Sequence, residues 1–147
     1  MIKFILVPVD GSTYSQRAVE LATDLAEKYG AELEFIHVGV MHEVPSELQR
    51  IAQIEGVADR PESTFEFVEH RIVAAAEEYA QNHGAKSVQT SIVVGDPASE
   101  IVRIAKNRGA DMIVMGCRGR GHLTALLLGS VSHKVVSLAS CTCVTVH

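Results

Sequence analysis

The stretch IVMGCRGRGHLTALLLGSVSHKV, residues 113–135, joins an apolar run to a helical pattern through a glycine-rich segment. Four glycines and three basic or potentially basic side chains, Arg118, Arg120 and His122, precede the Ser130 helix start. Glycines in such a segment indicate that the backbone turns sharply or approaches another group closely. The N–H groups and the positive dipole end of a helix that opens at Ser130 favour an anion. The stretch therefore predicts a strand, an anion-binding loop and a helix.

The rest of the chain repeats this alternation of strand and helix. Apolar runs predict five strands, at 4–9, 33–38, 87–95, 111–116 and 141–146. Helical spacing predicts four helices that end at Gly30, Gly84, Gly109 and about residue 139, the third one opening on Asp96 as N-cap and Pro97. The long connection 40–62 has room for a short helix at 48–54. The alternation predicts one α/β domain over 1–147, an open doubly wound parallel sheet of order 3-2-1-4-5 with helices on both faces.

Composition narrows the class of protein. The chain has 147 residues, 47% of them hydrophobic, a net charge of -5 and no run of basic residues, so we expect no nucleic-acid partner. No apolar run approaches the ~20 residues of a membrane span. Three cysteines without disulfide-framework spacing are typical of a reducing compartment, so a cytoplasmic protein without membrane contact is expected. We expect Cys141 and Cys143 to be buried or interface thiols, and the seven histidines show no metal-ligand spacing.

The glycine spacing excludes one well-known phosphate-binding loop and matches a second one poorly. The Walker pattern requires a Gly-Lys pair, which the chain lacks, and the dinucleotide fingerprint would require glycine at Thr124. What remains is Gly116-x-x-Gly119, nine residues, and then Gly129-Ser130. Parallel sheets bind ligands at the carboxyl ends of their strands, so we expect the turn at Asp10 and this loop to face one crevice.

Three segments carry a resemblance to a known family: ILVPVDGS at 5–12, GDPASEIVRIA at 95–105, and the Gly-x-x-Gly, nine-residue spacer, Gly-Ser arrangement. Together they resemble the ATP-binding branch of the universal stress protein family across essentially the whole chain. The resemblance implies a Rossmann-like fold of the adenine nucleotide alpha hydrolase-like type and a site for ATP and Mg. It also implies a homodimer that pairs through residues 141–146. With the neighbouring loop residues included, the predicted ATP-binding residues are Pro8, Val9, Asp10, Val38, Met115, Gly116, Arg118, Gly119, Arg120, Gly121, His122, Gly129, Ser130, Val131 and Ser132.

The last strand departs from the family pattern. It reads Cys-Thr-Cys where members very often have Cys-Pro-Val, so the backbone N–H of Thr142 is available for one further hydrogen bond.

Several residues also have a purely structural interpretation. Asp10 suits a turn or helix-cap carboxylate, Ser130 a plain N-cap, and His37 a satisfied core histidine. The three basic loop residues suit solvated positions as well as a polyphosphate clamp.

Three functions remain open at this point. The first is a nucleotide-dependent stress-response sensor or regulator with an unidentified client protein. The second is a slow ATPase or autophosphorylating protein that uses Ser130 or Ser132 as acceptor. The third is an interaction module that holds AMP or cyclic AMP. No nucleophile–base pair is evident, so we predict no catalytic residues and, at most, very slow ATP turnover.

Overall fold

The computed structural model describes residues 1–40, 61–119 and 128–147. The short helix predicted at 48–54 and three of the predicted loop residues, Arg120, Gly121 and His122, lie outside the described residues.

Within those residues, five strands form a single parallel sheet. The strands are β1 (Phe4–Pro8), β2 (Glu32–Gly39), β3 (Val88–Val94), β4 (Met112–Gly116) and β5 (Thr142–Val146). The helices are α1 (Thr13–Tyr29), α2 (Pro61–Asn82), α3 (Pro97–Arg108) and α4 (Ser130–Leu138). The strand order is β3-β2-β1-β4-β5, and every pair is parallel. The predicted order and the five-strand, four-helix count are confirmed for the part of the chain that is described.

Helix boundaries follow local capping chemistry. Asp96 accepts the N–H of Ser99 at 3.0 Å and Pro97 occupies the first turn, as the sequence predicts. Gly30 and Gly109 end α1 and α3 with φ of 66° and 67°, a left-handed conformation that favours glycine. The helix α2 begins at Pro61, within the segment 40–62 that the sequence assigns to a connection. That part of the prediction is wrong, because proline is well suited to the first helical position.

Helices cover both faces of the sheet, so the central strand β1 is apolar on both sides. Ile5 and Val7 pack in a core beneath α1 and α2, whereas Phe4 and Leu6 pack in a second core beneath α3 and α4. This two-sided burial explains why strand β1 reads as a continuous apolar run rather than an alternating one.

The carboxyl ends of β1 and β4 lie side by side. Ile5 pairs with Met112 and Leu6 with Ile113, and each strand ends within a few residues of these pairs. Since β2 lies on the other side of β1, the strand order reverses between β1 and β4. Such a switch point opens a crevice for ligand.

Strand β5 forms one edge of the sheet. The N–H of Thr142 donates to Asp111 O at 3.3 Å, so the extra donor predicted at this position bonds to the residue just before β4. Val146 O accepts the N–H of Cys117 at 2.8 Å. Because residues alternate along a strand, the backbone groups of Cys143 and Thr145 point to the open edge.

No helix in the described ranges is both long enough and apolar enough to cross a membrane.

The Asp111 carboxylate connects the start of the chain to the start of β4 by hydrogen bonds, and its charge makes the stability of the protein depend on pH. Its Oδ2 accepts the N–H groups of Lys3 at 2.8 Å and Phe4 at 3.0 Å, and these bonds lower the pKa of Asp111 below its ordinary value of 3.8. A carboxylate whose pKa is lowered in the folded state stabilises the protein at pH values above its ordinary pKa. That stabilisation is lost as the pH falls through the lowered pKa of the folded state. We therefore expect Asp111→Asn to lower the urea midpoint at pH 7.

The difference in urea midpoint between the Asp111→Asn variant and the wild type should shrink below pH 3.8. There the wild-type side chain becomes protonated, and a neutral aspartic acid resembles asparagine. Urea titrations at several pH values measure it. A difference that stays constant with pH would contradict the assigned role of the charge.

Candidate functional site

A cavity of about 480 Å³ opens at the carboxyl ends of β1, β2 and β4. Its volume is in the range of small-molecule sites. The walls come from the turn after β1, the end of β2, the middle of α2, the start of α3, and the segments on either side of residues 120–127. The cavity therefore lies at the switch point of the sheet.

Twelve of the fifteen residues predicted from the sequence line this one cavity. They come from four separate stretches of the described chain, and the fold brings them together: Pro8, Val9, Asp10, Val38, Met115, Gly116, Arg118, Gly119, Gly129, Ser130, Val131 and Ser132.

Asp10 combines a turn role with a position in the cavity wall. Its Oδ1 accepts the N–H of Ser12 at 2.9 Å, which is the local turn bond that the structural interpretation predicts. Its Oδ2 lies beside Gly119, where an added Cβ would be 2.8 Å away. The Asp10 backbone N–H donates to Ser15 Oγ at 3.2 Å. The turn bond therefore orients the carboxylate toward the glycine-rich loop.

The carbonyl of Cys117 organises the end of the loop. It accepts the N–H of Gly129 at 2.7 Å and the hydroxyl of Ser132 at 2.7 Å. Ser132 is buried, so its hydroxyl proton holds the loop closed rather than facing solvent. The sequence analysis missed Cys117, because a backbone carbonyl acts there and the side-chain type carries no signal for it.

The start of α4 differs from one structural interpretation of the sequence. Gly129, and not Ser130, is the N-cap, and no side chain caps the helix. The N-cap interpretation of Ser130 is therefore wrong. Ser130 is the first helical residue and is exposed at the cavity. The first three residues of α4 line the cavity and no cap side chain accepts their N–H groups, so this helix start suits an anion.

The opposite wall, beneath α2, contains residues that the sequence analysis did not assign to the site. Val40, Val68 and Ile72 make it apolar, and His37 and Glu69 add two polar groups. His37 is buried and its Nδ1 lies 2.7 Å from Val9 O, so the prediction of a satisfied core histidine is confirmed. The helical spacing of apolar residues that includes Val68 and Ile72 predicted core packing. Periodicity alone does not show whether such a helix face packs in the core or lines a cavity.

The three cysteines are free thiols. Cys141 and Cys143 are partly buried against the second core, as their shared strand face predicts, and burial raises the pKa of both thiols. Among the described residues no group of three His, Cys, Asp or Glu side chains is placed to hold a metal ion.

An open doubly wound sheet with a small-ligand cavity at its switch point and a helix N-terminus at that cavity defines a Rossmann-like α/β binding protein. Comparison with known proteins gives the family. The sequence model of the Universal stress protein family matches residues 1–147. Universal stress protein YxiE of Bacillus subtilis is 34% identical over 148 residues, with 96% of each chain covered. The chain belongs to the universal stress protein family, and the resemblance found in its motifs is confirmed.

Solved structures agree with this assignment. The structure of hypothetical protein MJ0577, from Methanocaldococcus jannaschii, superposes with a TM-score of 0.77 at 27% identity, covering 99% of this chain and 96% of that one. The crystal structure of a universal stress protein in complex with cAMP superposes with a TM-score of 0.73 at 25% identity, covering 99% and 97%.

The two serines at the start of α4 give a matched test of the loop closure. Ser132→Ala removes the buried hydroxyl that bonds to Cys117 O, and we expect a loss of about 1 kcal/mol in the free energy of unfolding. The loss is modest because Cys117 O still accepts the N–H of Gly129. Ser130→Ala alters an exposed side chain, so its effect should stay within about 0.5 kcal/mol.

Urea unfolding of both variants measures the difference. Equal stabilities for Ser132→Ala and Ser130→Ala would show that the hydroxyl bond does not hold the loop.

Proposed function

We propose that this protein binds ATP with Mg²⁺ in the cavity and acts as a nucleotide-dependent sensor or regulator, as one domain spanning 1–147. One observation carries the proposal: twelve of the residues predicted from the sequence line one cavity of about 480 Å³ at the sheet switch point. The related structure in complex with cAMP supports an adenine nucleotide as the class of ligand.

The phosphates belong at the α4 end of the cavity. There the first-turn N–H groups of α4 and the half-buried Arg118 supply positive potential. Gly129 lines the cavity without a side chain, which lets a ligand approach the backbone closely. These groups recognise charge and shape without a lysine of the Walker type.

Magnesium would be coordinated mainly by phosphate oxygens and water. The described cavity residues include two carboxylates, Asp10 and Glu69, on different walls. Mg²⁺ usually keeps several waters and is held largely by substrate phosphates, so the site does not require a dedicated set of protein ligands.

The arrangement favours retention of nucleotide over rapid hydrolysis. Hydrolysis requires a group that positions water near the terminal phosphate. His37 lies on β2 and Glu69 on α2. Strand β1 separates β2 from β4 and from the loop where the phosphates are proposed to bind, so neither side chain is close to that loop along the sheet. The bound nucleotide would instead order the two loop ends for a client protein.

Gly129 gives a sharp test of ATP binding. A Cβ at this position would lie 3.4 Å from both the Arg118 Cα and Cys117 O, at the edge of ordinary contact, so Asp and Asn fit there without unfolding the chain. Both are good N-cap residues. Calorimetry should give wild-type binding of Mg-ATP, and Gly129→Asp should weaken it by ~100-fold or more because like charges at a binding site repel strongly.

The neutral, equally large Gly129→Asn variant is the control and should keep most of the affinity. No heat with millimolar Mg-ATP on the nucleotide-free wild-type protein would overturn the proposal. An Asp variant that binds as well as the Asn variant would place the phosphates elsewhere.

We also propose a homodimer that pairs through the open edge of β5. An exposed parallel edge is a template for pairing with another chain. Thr145 points its backbone N–H to this edge, whereas Thr142 and Val146 bond toward β4. Thr145→Pro removes the outward donor and keeps the bonds to β4, so it should shift the sedimentation profile toward monomer.

The Thr145→Ser variant keeps the N–H and should sediment like the wild type. A wild-type monomer at micromolar concentration, or a Pro variant that remains fully dimeric, would contradict pairing through β5.

A further inference from the structure

Strand β3 forms the second edge of the sheet, opposite β5. In the described part of the chain, no strand pairs with β3 on the side away from β2. The strand Val88–Val94 contains no charged side chain and no proline, which are two of the features that protect an edge strand from pairing. Strand β3 is therefore an open template for another strand.

The bonds to β2 show which backbone groups of β3 face the open edge. Gly95 donates its N–H to Gly39 O at 3.1 Å, so the odd-numbered residues of this stretch bond toward β2. Because residues alternate along a strand, the even-numbered residues present their N–H and C=O groups to the open edge. These residues are Val88, Thr90, Ile92 and Val94.

Two β3 strands are complementary to each other when they run antiparallel with a two-fold axis at Ser91. In that register the outward-bonding residues face one another, with Val94 against the partner's Val88 and Thr90 against the partner's Ile92. Val94 is 58% exposed in the single chain, and this pairing would cover it. No charged side chain is placed opposite another within the paired strands.

The same register brings opposite charges together at both ends of the pair. Lys86 precedes β3 and Asp96 follows it, and both residues are exposed. The two-fold axis at Ser91 places Lys86 opposite the partner's Asp96, and the symmetry repeats this contact at the other end. Opposite charges across a strand pair stabilise it, and like charges destabilise it. The charges therefore favour a second copy of this chain in this register.

We propose that β3 pairs with β3 of a second copy of this chain, antiparallel and centred on Ser91. None of the residues 86–96 lines the cavity, so this surface is separate from the proposed nucleotide site. Together with pairing through β5 at the other edge, it would extend one sheet through successive copies of the chain. A strand pair alone buries little surface, so this association is weak and develops at higher protein concentration than pairing through β5.

Disulfide trapping tests the register. At the axis, Ser91 faces the partner's Ser91 in a pair that exchanges no hydrogen bonds, where Cα atoms lie ~4.5 Å apart and a disulfide can form. Ser91→Cys should give a covalent dimer on mild oxidation in a background of Cys141→Ser and Cys143→Ser, because the remaining Cys117 is fully buried. Gln89→Cys, on the same strand face, is the matched control. Its two copies would lie ~13 Å apart and should not link.

Sedimentation over a range of protein concentrations tests the pairing itself. In a Thr145→Pro background, which removes an outward donor of β5, the chain should still dimerise at high concentration. Thr90→Pro removes an outward N–H of β3 and keeps the bonds to β2, so it should suppress this dimer, whereas Thr90→Ser should not.

A charge change at the end of the strand gives a further comparison. Lys86→Glu would oppose like charges at both ends of the pair and should weaken the association by ~3-fold or more. Lys106→Glu, the same change at an exposed position of α3, should leave the association as it is.

Each result decides for or against pairing through β3. No link in Ser91→Cys, or equal linking in Ser91→Cys and Gln89→Cys, would overturn the register. A dimer that persists unchanged in Thr90→Pro would overturn the surface. Failure of the purified chain to associate at any concentration would leave the β3 edge to a strand from another protein and would also overturn the proposal. None of these outcomes alters the proposed binding of ATP, which calorimetry tests separately.

Discussion

The close approach of α1 to the end of β4 at Gly116 is the constraint on which the site depends. A Cβ at this position would lie 2.8 Å from the backbone carbon of Tyr14 and 2.9 Å from Ser15 N. Because only glycine fits, the first turn of α1 packs directly on the strand end. The turn that carries Asp10 thus lies beside the segment that carries Arg118 and Gly119, and the cavity forms between them.

The loop ends depend on a second backbone interaction. Cys117 O accepts bonds from both Gly129 and Ser132, which fixes the start of α4 next to the end of β4. The helix start is then aimed at the cavity without a capping side chain. Gly129 offers no capping side chain to the first turn of α4, and the buried Ser132 hydroxyl holds the helix start in place through its bond to Cys117 O.

The two ends of the cavity differ in their chemistry. The α4 end supplies backbone N–H groups and the Arg118 cation, which match phosphate. The α2 end is apolar, with His37 and Glu69 as its two polar groups. Under the proposed function, this difference between the two ends would give a bound nucleotide one orientation in the cavity.

The sequence by itself determined the fold class, the strand order and most element boundaries. It did so because two-sided burial requires apolar runs, and because capping uses residues with local effects, such as Asp96, Gly30 and Gly109. It also predicted the glycine-rich segment and the helix start that line the cavity, since glycine spacing and a helix start are local features. The tertiary structure alone decided the role of the Cys117 carbonyl and the place of Glu69 and His37 in the cavity wall. Their roles depend on which carbonyl or carboxylate lies opposite another part of the chain, and no pattern within a single element records a contact across the sheet or across a cavity.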